Sequence, residues 1–204
     1  MPDRIDTILS HVPHNARVLD IGCIGNPSHH LVDKKRWLFH RLSLITNDLV
    51  GIDTNQDWVK KAHQAGYTNI LLEDAQNYRS PVPFDVITAG ELIEHLPNPA
   101  DFISAASACL SPNGLLIIST PNIFSLNYSL KGLLGIPNNF HSEHLVAFDE
   151  QLIRAMLHRC AFTDVSIEYA TERDISSMKN YFLTQVAKIR PRWSGNLVAV
   201  ARKG

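Results

Sequence analysis

Cysteine is scarce in this chain, and the few that occur do not form pairs. Cys23, Cys109 and Cys160 lie far apart, and no C-x-x-C pair is present. Disulfide-rich domains depend on a dense set of cysteines, and structural zinc sites depend on closely spaced ones. The fold is therefore expected to rest on neither a disulfide framework nor a zinc site.

Long apolar runs are also missing. The N-terminal sequence MPDRIDTILSHVPHNAR has neither the apolar core nor the small-residue cleavage pattern of a signal peptide. No uninterrupted apolar stretch elsewhere approaches the length that a membrane-spanning helix needs. We therefore expect a cytoplasmic protein that has no membrane partner.

Excess charge of one sign is absent as well. Nineteen Lys and Arg residues stand against twenty Asp and Glu residues, which gives a formal net charge of −1. Without a basic field the chain is not expected to attract long nucleic acids or anionic membranes. A smaller basic patch, which could hold an RNA end, stays open as an alternative. The basic residues near the C-terminus are Lys179, Lys188, Arg190, Arg192, Arg202 and Lys203.

What is present is an ordinary globular composition, with 45% hydrophobic and 19% charged residues over a length of 204. Such a length suits one domain with a full core. No internal repeat or low-complexity linker divides the sequence. We therefore expect a single domain over residues 1–204.

Apolar runs of strand length alternate with longer helical patterns. The predicted strands are 17–21, 49–53, 69–72, 84–89, 115–119, 163–169 and 196–202. The predicted helices are 28–45, 56–65, 98–110, 149–160 and 174–189. Repeated strand–helix alternation predicts an α/β fold with a mostly parallel sheet covered by helices on both faces. The two late strands predict an antiparallel C-terminal edge.

The regular alternation of predicted strands and helices stops after Pro121. Residues 121–148 contain many apolar side chains but no clear strand. We interpret this segment as a lid-like insertion over a substrate, because irregular apolar segments beside a site often move to cover it. The alternative is a helical excursion that merely packs on the edge of the sheet.

Five sequence features occur in the order typical of one enzyme family. They are VLDIGCIGNPS after the first strand, Asp53 at the end of the second, LEDAQ after the third, and FDVITAGELIEHLPNPADFI followed by LSPNGLLIISTPN. Together, over residues 16–165, they resemble class I S-adenosylmethionine (SAM)-dependent methyltransferases. Ile24 and Asn26 depart from the resembled pattern, which usually has glycine at these positions.

The resemblance implies a Rossmann-like seven-stranded fold and a binding site for SAM. Glycines at a strand-to-helix turn allow the backbone to approach a ligand, and an acidic residue after the second strand accepts ribose hydroxyls. The cofactor-binding residues that the resemblance implies are Asp20, Gly22, Gly25, Asp53, Thr54, Asp74, Ala75 and Gly90.

A second group of residues points to the reacting centre. Glu91, Glu94 and His95 would share one face if their segment is helical, and His144 follows later. This E-x-x-E-H pattern resembles the divalent-metal site of small-RNA 3′-terminal 2′-O-methyltransferases and ubiquinone-pathway O-methyltransferases. The resemblance implies Mg²⁺ or Mn²⁺ held by these four residues. The alternatives are His95 or His144 as a metal-free general base, or structural roles alone.

Three functions stay open from the sequence. The first is O-methylation of a small molecule, such as a phenol, a sugar or a natural product. The second is metal-assisted 2′-O-methylation of an RNA end, and the third is SAM binding without activity. The sequence leaves open whether oxygen or nitrogen is methylated and whether the protein is a monomer or a homodimer.

Overall fold

Seven strands form one sheet in the part of the chain that the structure describes. The structure is a computed structural model that describes residues 2–25, 30, 33–138, 140–171 and 178–204, with the backbone alone for 178–182. The strands are β1 (Val18–Ile21), β2 (Leu49–Asp53), β3 (Ile70–Leu72), β4 (Phe84–Gly90), β5 (Leu110–Pro121), β6 (Phe162–Ala170) and β7 (Asn196–Lys203).

The strand order is β3-β2-β1-β4-β5-β7-β6. Strands β1 to β5 pair in parallel, whereas β7 pairs antiparallel with both β5 and β6. The chain moves outward in one direction from β1 to β3 and in the other direction from β4, so the order reverses between β1 and β4. The predicted mostly parallel, seven-stranded sheet with an antiparallel C-terminal edge is confirmed.

Both faces of the sheet are buried, because successive side chains of a strand point to opposite faces. Val18 and Ile117 belong to one core cluster, and their neighbours Leu19 and Ile118 belong to the other. This double burial explains why the central strands read as continuous apolar runs rather than alternating ones.

Helices cover the two faces of the sheet. They are α1 (Arg4–Ser10), α2 (Leu38–Leu42), α3 (Gln56–Gln64), α4 (Pro99–Cys109), α5 (Leu126–Leu133), α6 (Glu150–Arg159) and α7 (Met178–Ile189). Buried residues of α1, α2 and α3 join the first cluster, and those of α4 and α6 join the second. Among the described helices, none has the length and apolarity to cross a membrane.

Helix starts follow from local hydrogen bonding. Asn55 accepts a hydrogen bond from the amide of Trp58, and Asp149 accepts one from Leu152, so both act as N-caps. Helix α4 begins with Pro99, whose missing amide proton would have no helical partner at that position. These caps place α3, α4 and α6 close to their predicted bounds.

Three parts differ from the prediction. The helix expected over 28–45 is a 3₁₀ turn, Lys34–Arg36, followed by the short α2, while 28–29 and 31–32 lie outside the described residues. The N-terminal helix α1 was not predicted. Helix α5 lies inside the segment 121–148, where only the alternative interpretation included a helix, and none of its residues is buried. Of the helix expected over 174–189, residues 174–177 lie outside the described part.

Candidate active site

The site lies at the carboxyl edge of the parallel strands, where the strand order reverses between β1 and β4. Open α/β sheets bind ligands in the crevice at such a switch point, because the loops leaving the two strands run in opposite directions. The chain leaves β1 through Gly22 and leaves β4 through Gly90 and Glu91. These loops bring the sequence-predicted residues to one edge of the sheet.

Glycine is required at two positions of the turn after β1. Gly22 and Gly25 have φ angles of 67° and 56°, in the left-handed region that favours glycine. Ile24 has no such angle, and its side chain is buried in the first core cluster. This packing explains how the turn tolerates isoleucine where the resembled pattern has glycine. Asn26, the second departure, lies outside the described residues.

Aromatic side chains that the sequence analysis assigned no role hold this turn in place. The indole Nε1 of Trp37 donates to the carbonyl of Cys23 over 2.6 Å. The His30 ring lies 2.6 Å from the carbonyl of Ile24 through Nδ1 and stacks on Trp37. These contacts join residues 6 to 14 positions apart, and no motif in the sequence predicts them.

Asp53 ends β2 and faces the same turn. Its Oδ2 accepts from the amide of Ile24 over 3.2 Å, and its Oδ1 accepts from the amide of Asn55 over 2.9 Å. Burial raises the pKa of Asp53, and the bonding amides act against this rise. Each carboxylate oxygen keeps acceptor capacity for a further hydroxyl. The following residue, Thr54, is exposed.

Asp74 is more loosely placed. It lies two residues beyond β3 and is exposed, and its carboxylate accepts from the Gln76 amide and the Asn77 side chain. These bonds shape a local turn rather than reaching the glycine turn. Its neighbour Ala75 is half-buried and packs against the second core cluster.

Asp20 is fully buried inside β1. Its Oδ1 accepts from the Thr88 hydroxyl over 2.7 Å, while its Oδ2 has no hydrogen-bond partner among the described residues. Burial raises the pKa of Asp20 to about 7, although Thr88 and Arg4 act in the opposite direction. An unsatisfied buried carboxylate at a switch point indicates a functional position rather than a packing one.

Arg4, which no sequence motif predicted to be a site residue, reaches the site from α1. Its Nη1 donates to the Ser119 hydroxyl over 3.0 Å, and its Nε lies 3.8 Å from the carboxylate of Glu91. A Cβ atom on Gly90 would lie only 3.0 Å from Nη1, so glycine allows the guanidinium to approach the backbone. The cation therefore lies among the acidic groups at the ends of β4 and β5.

Glu91 does not share a face with Glu94 and His95. Its backbone is in the left-handed region at φ 53°, and the 3₁₀ turn begins only at Ile93. The carboxylate of Glu91 accepts from Ser119 over 3.1 Å. The helical arrangement expected for 91–95 is therefore replaced by a strained loop and a short turn, and such strain is common at active sites.

Glu94, His95 and His144 come together. Each offers one ligand atom, and these three atoms lie within 4.8 Å of one another. The rings of His95 and His144 are 4.7 Å apart. Glu94 is buried, with Oε2 accepting from Thr120 over 3.0 Å and Oε1 unpartnered among the described residues. Glu91, the fourth predicted ligand, lies outside this cluster.

Without a bound cation, burial favours the neutral forms of Glu94 and His144 in this cluster. Burial, followed by the charge of Glu91, raises the pKa of Glu94 to about 8. Burial and the neighbouring histidines lower the pKa of His144, which favours its neutral form. Nδ1 of His95 lies 3.2 Å from the carbonyl of Glu143, and because a carbonyl can only accept, Nε2 keeps the free lone pair.

Two neighbouring cavities lie beyond these residues. The larger, of about 310 Å³, is bounded by Glu91, by α5 and by the start of β7. The smaller, of about 170 Å³, contains Glu94 and His144. Pro121 and Tyr128 line both cavities. The segment 121–148 therefore forms walls of both.

Comparison with known proteins identifies the family to which this chain belongs. The sequence profile of the family described as "Methyltransferase domain" matches residues 1–167. The chain belongs to this family. The expectation of a class I SAM-dependent methyltransferase is thereby confirmed at the level of the family.

Two further methyltransferase-domain relatives show how far the likeness extends. A ubiquinone biosynthesis O-methyltransferase of Xylella fastidiosa is 33% identical over 130 residues, which cover 59% of this chain and 48% of that protein. The corresponding enzyme of Colwellia psychrerythraea is 29% identical and is covered over 58% of its length. The chain thus spans about half the length of the curated relatives it matches.

Solved structures share the fold. A SAM-dependent methyltransferase from Archaeoglobus fulgidus superimposes with a TM-score of 0.65 at 19% identity, covering 98% of this chain and 91% of that one. At this identity the likeness supports the fold alone, and the reaction has to be argued from the site.

Proposed function

We propose that this methyltransferase-domain protein transfers a methyl group from SAM to an oxygen of a small molecule. The single observation that carries the proposal is the constellation at the switch point: the glycine turn, the ribose-type acid Asp53, and Arg4 among buried carboxylates. The O-methyltransferase relatives favour oxygen over nitrogen as the acceptor atom.

The charges of the site fit SAM. Arg4 lies close enough to Asp20 and Glu94 to lower the pKa of each carboxyl, and its Nε lies 3.8 Å from the carboxylate of Glu91. SAM carries a sulfonium, an ammonium and a carboxylate, and therefore one net positive charge. Arg4 would pair with the carboxylate, and the acidic groups would offset the cationic part in a poorly solvated site. The unpartnered Oδ2 of Asp20 fits this assignment.

The adenosine end fits the other side of the site. Asp53 would accept the ribose hydroxyls, and the bond from the Ile24 amide holds its carboxylate beside the glycine turn. Asp74 and Ala75 would lie beside the adenine. When bound, SAM supplies an electrophilic methyl group, so the protein's own task is to align the acceptor and exclude water.

The cluster of Glu94, His95 and His144 is proposed to hold a divalent cation. One buried carboxylate oxygen and two imidazoles suit Mn²⁺ better than Mg²⁺ because two donors are nitrogens. When bound, such an ion supplies Lewis acidity that lowers the pKa of an acceptor hydroxyl. If activity does not depend on a metal, His144, whose pKa is lowered, becomes the candidate general base.

A small acceptor is favoured over an RNA end. The C-terminal basic residues do not form one patch: Arg192 lies near Glu150, whereas Arg202 and Lys203 lie at the opposite end of β7. Eight residues of strand separate these ends by about 25 Å. The segment 121–148 forms walls of both cavities, and we propose that it acts as a lid.

Turnover of SAM with small acceptors tests the proposal. Purified protein with Mn²⁺ should produce S-adenosylhomocysteine when given SAM and a vicinal dihydroxybenzene, and mass spectrometry should find the added methyl on oxygen. A variant Asp53→Ala should be markedly slower at low SAM concentration. Methyl transfer to amines but never to hydroxyls would contradict the oxygen assignment.

A further inference from the structure

The part of the site formed by the two cavities and the segment 121–148 is called the acceptor side. Two buried asparagines at this side differ in their hydrogen bonding. Asn122 follows β5 and Asn196 begins β7, and both are almost fully buried. Asn122 is satisfied: its Nδ2 donates to the carbonyls of Arg192 and Ser194, and its Oδ1 accepts from the Phe124 amide. Its role is structural, because it fixes the turn that carries Trp193.

Asn196 has no such partners. Among the described residues no hydrogen bond reaches its side-chain carboxamide, and its Nδ2 is buried without a partner. Buried amides are almost always hydrogen-bonded, because leaving one unpaired costs its lost hydration. The carboxamide can present either its donor or its acceptor after a flip about the terminal bond. A ligand that completes it would remove this cost.

Asn196 lines the cavity of about 310 Å³, the size of a small-molecule site. Tyr128 and Trp193 give this cavity aromatic walls, and Glu91 is its only charged residue among those described. Among the described lining residues, an anionic group would therefore meet a carboxylate and no cation. The lining suits an uncharged polar group attached to a ring.

We propose that Asn196 binds an uncharged hydrogen-bonding group of the methyl acceptor, and that this group is distinct from the oxygen that is methylated. This inference rests on the proposed function. The adjoining cavity of Glu94 and His144 would receive the reacting oxygen, and Tyr128 and Pro121, which both cavities share, would lie along the acceptor between the two. The acceptor class is thus a neutral ring compound with two separated polar groups.

Three probes that share one catechol ring test this assignment: 3,4-dihydroxybenzamide, 3,4-dihydroxybenzoate and 3,4-dihydroxytoluene. Binding is measured by calorimetry on the full chain, with and without S-adenosylhomocysteine. The benzamide should bind at least about 10-fold more tightly than the other two, as expected for one buried hydrogen bond. Asn196→Ala should abolish this advantage, and Asn196→Ser should keep part of it.

The matched control is Asn122→Ala, which should lower the melting temperature but leave the preference for the benzamide intact. Asn196→Ala should lower the melting temperature less than Asn122→Ala does, because its side chain forms no hydrogen bond among the described residues. Equal binding of the three probes, no binding of the benzamide, or a preference that survives in a folded Asn196→Ala variant would overturn the assignment. SAM binding, measured separately, reports on the proposed function, and the probes without cofactor still report on Asn196.

Discussion

The cofactor side and the acceptor side of the site are built differently. On the cofactor side, Ile24, Trp37 and Asp53 are buried, and each bonds or packs against the turn that it supports. On the acceptor side, the apolar residues of 121–148 are mostly exposed, with Leu133 and Leu134 at 82% and 69%. Under the proposed function, the buried side would be a preformed pocket for SAM and the exposed side a surface that the acceptor completes.

The two sides meet at the end of β4. The amides of Leu145 and Val146 both donate to the carbonyl of Glu94, and Asn122 bridges to Phe148. Both ends of the segment 121–148 are therefore anchored to the sheet while its helix has no buried residue. Segments with few buried contacts open at low cost, which is what a lid requires.

The largest effect should come from Glu94, where the sides meet. Glu94→Ala should reduce turnover by about 1000-fold, equivalent to ~4 kcal/mol of transition-state stabilisation, because the cation site loses its carboxylate. Calorimetry should show SAM binding largely retained. A chelator should likewise stop turnover of the wild type, and Mn²⁺ should restore it. Full turnover in the chelated enzyme would show that the reaction does not need a metal ion.

Asp20 should give the next largest effect, and it is a pH effect. Because the pKa of Asp20 is raised from 3.8 to about 7 in the folded state, folding binds a proton between these values. This stabilising contribution is complete below pH 3.8 and is lost as pH rises through about 7. Asp20→Asn, which keeps an acceptor for Thr88, should thus gain ~2–4 kcal/mol over the wild type between pH 4 and 8.

Denaturant unfolding of both proteins at several pH values measures this difference. The gain should level off above about pH 7–8, where Asp20 is ionised in both states. A stability difference between the two proteins that does not change with pH would show that the buried carboxyl titrates normally.

The cofactor side can be tested by comparing two acids. Asp53→Ala should weaken SAM binding by ~1.5–3 kcal/mol, because buried hydroxyls lose a charged acceptor. Asp74→Ala should have a smaller effect, since that carboxylate is exposed and engaged in its own turn. Calorimetry of both variants provides the measurement, and an equal or reversed order would contradict the geometry described for Asp53.

The smallest effect should come from the exposed helix of the acceptor side. Leu133→Ser should change the free energy of unfolding by less than ~0.5 kcal/mol, whereas Leu157→Ala in the core should cost ~2–5 kcal/mol. Hydrogen exchange should also be fast over 124–138 in the free protein and slower with cofactor and acceptor bound. Equal protection from exchange in both states would show that this segment is ordinary packing and does not act as a lid.

The fold could be predicted from the sequence because the central strands are short apolar runs and the helices show apolar residues at helical spacing. Leu49–Asp53 has the predicted bounds, and α3 and α4 begin at caps visible in the sequence. Of the predicted cofactor residues, Gly22, Gly25 and Asp53 lie at one turn, whereas Asp74 lies in a turn of its own, and their role in binding SAM stays a prediction. Arg4 was missed because a short amphipathic helix far from the motifs gives no local signal of the site that it reaches.

The acceptor side was less predictable for a physical reason. The left-handed backbone at Glu91 depends on bonds to β5, so the local i, i+3, i+4 pattern could not reveal that Glu91 and Glu94 separate. The contrast between Asn122 and Asn196 likewise depends on tertiary neighbours. Side chains whose partners are distant in sequence, or are ligands, leave no periodic trace.

Titration of the chain with SAM, S-adenosylhomocysteine and NADH by calorimetry tests the central claim most directly. We expect SAM to bind, because the glycine turn, Asp53 and Arg4 complement its ribose and its carboxylate. S-adenosylhomocysteine, which lacks the sulfonium charge, should bind without the benefit of the surrounding carboxylates, and NADH should give no heat. Binding of NADH in the absence of any SAM binding would contradict the account.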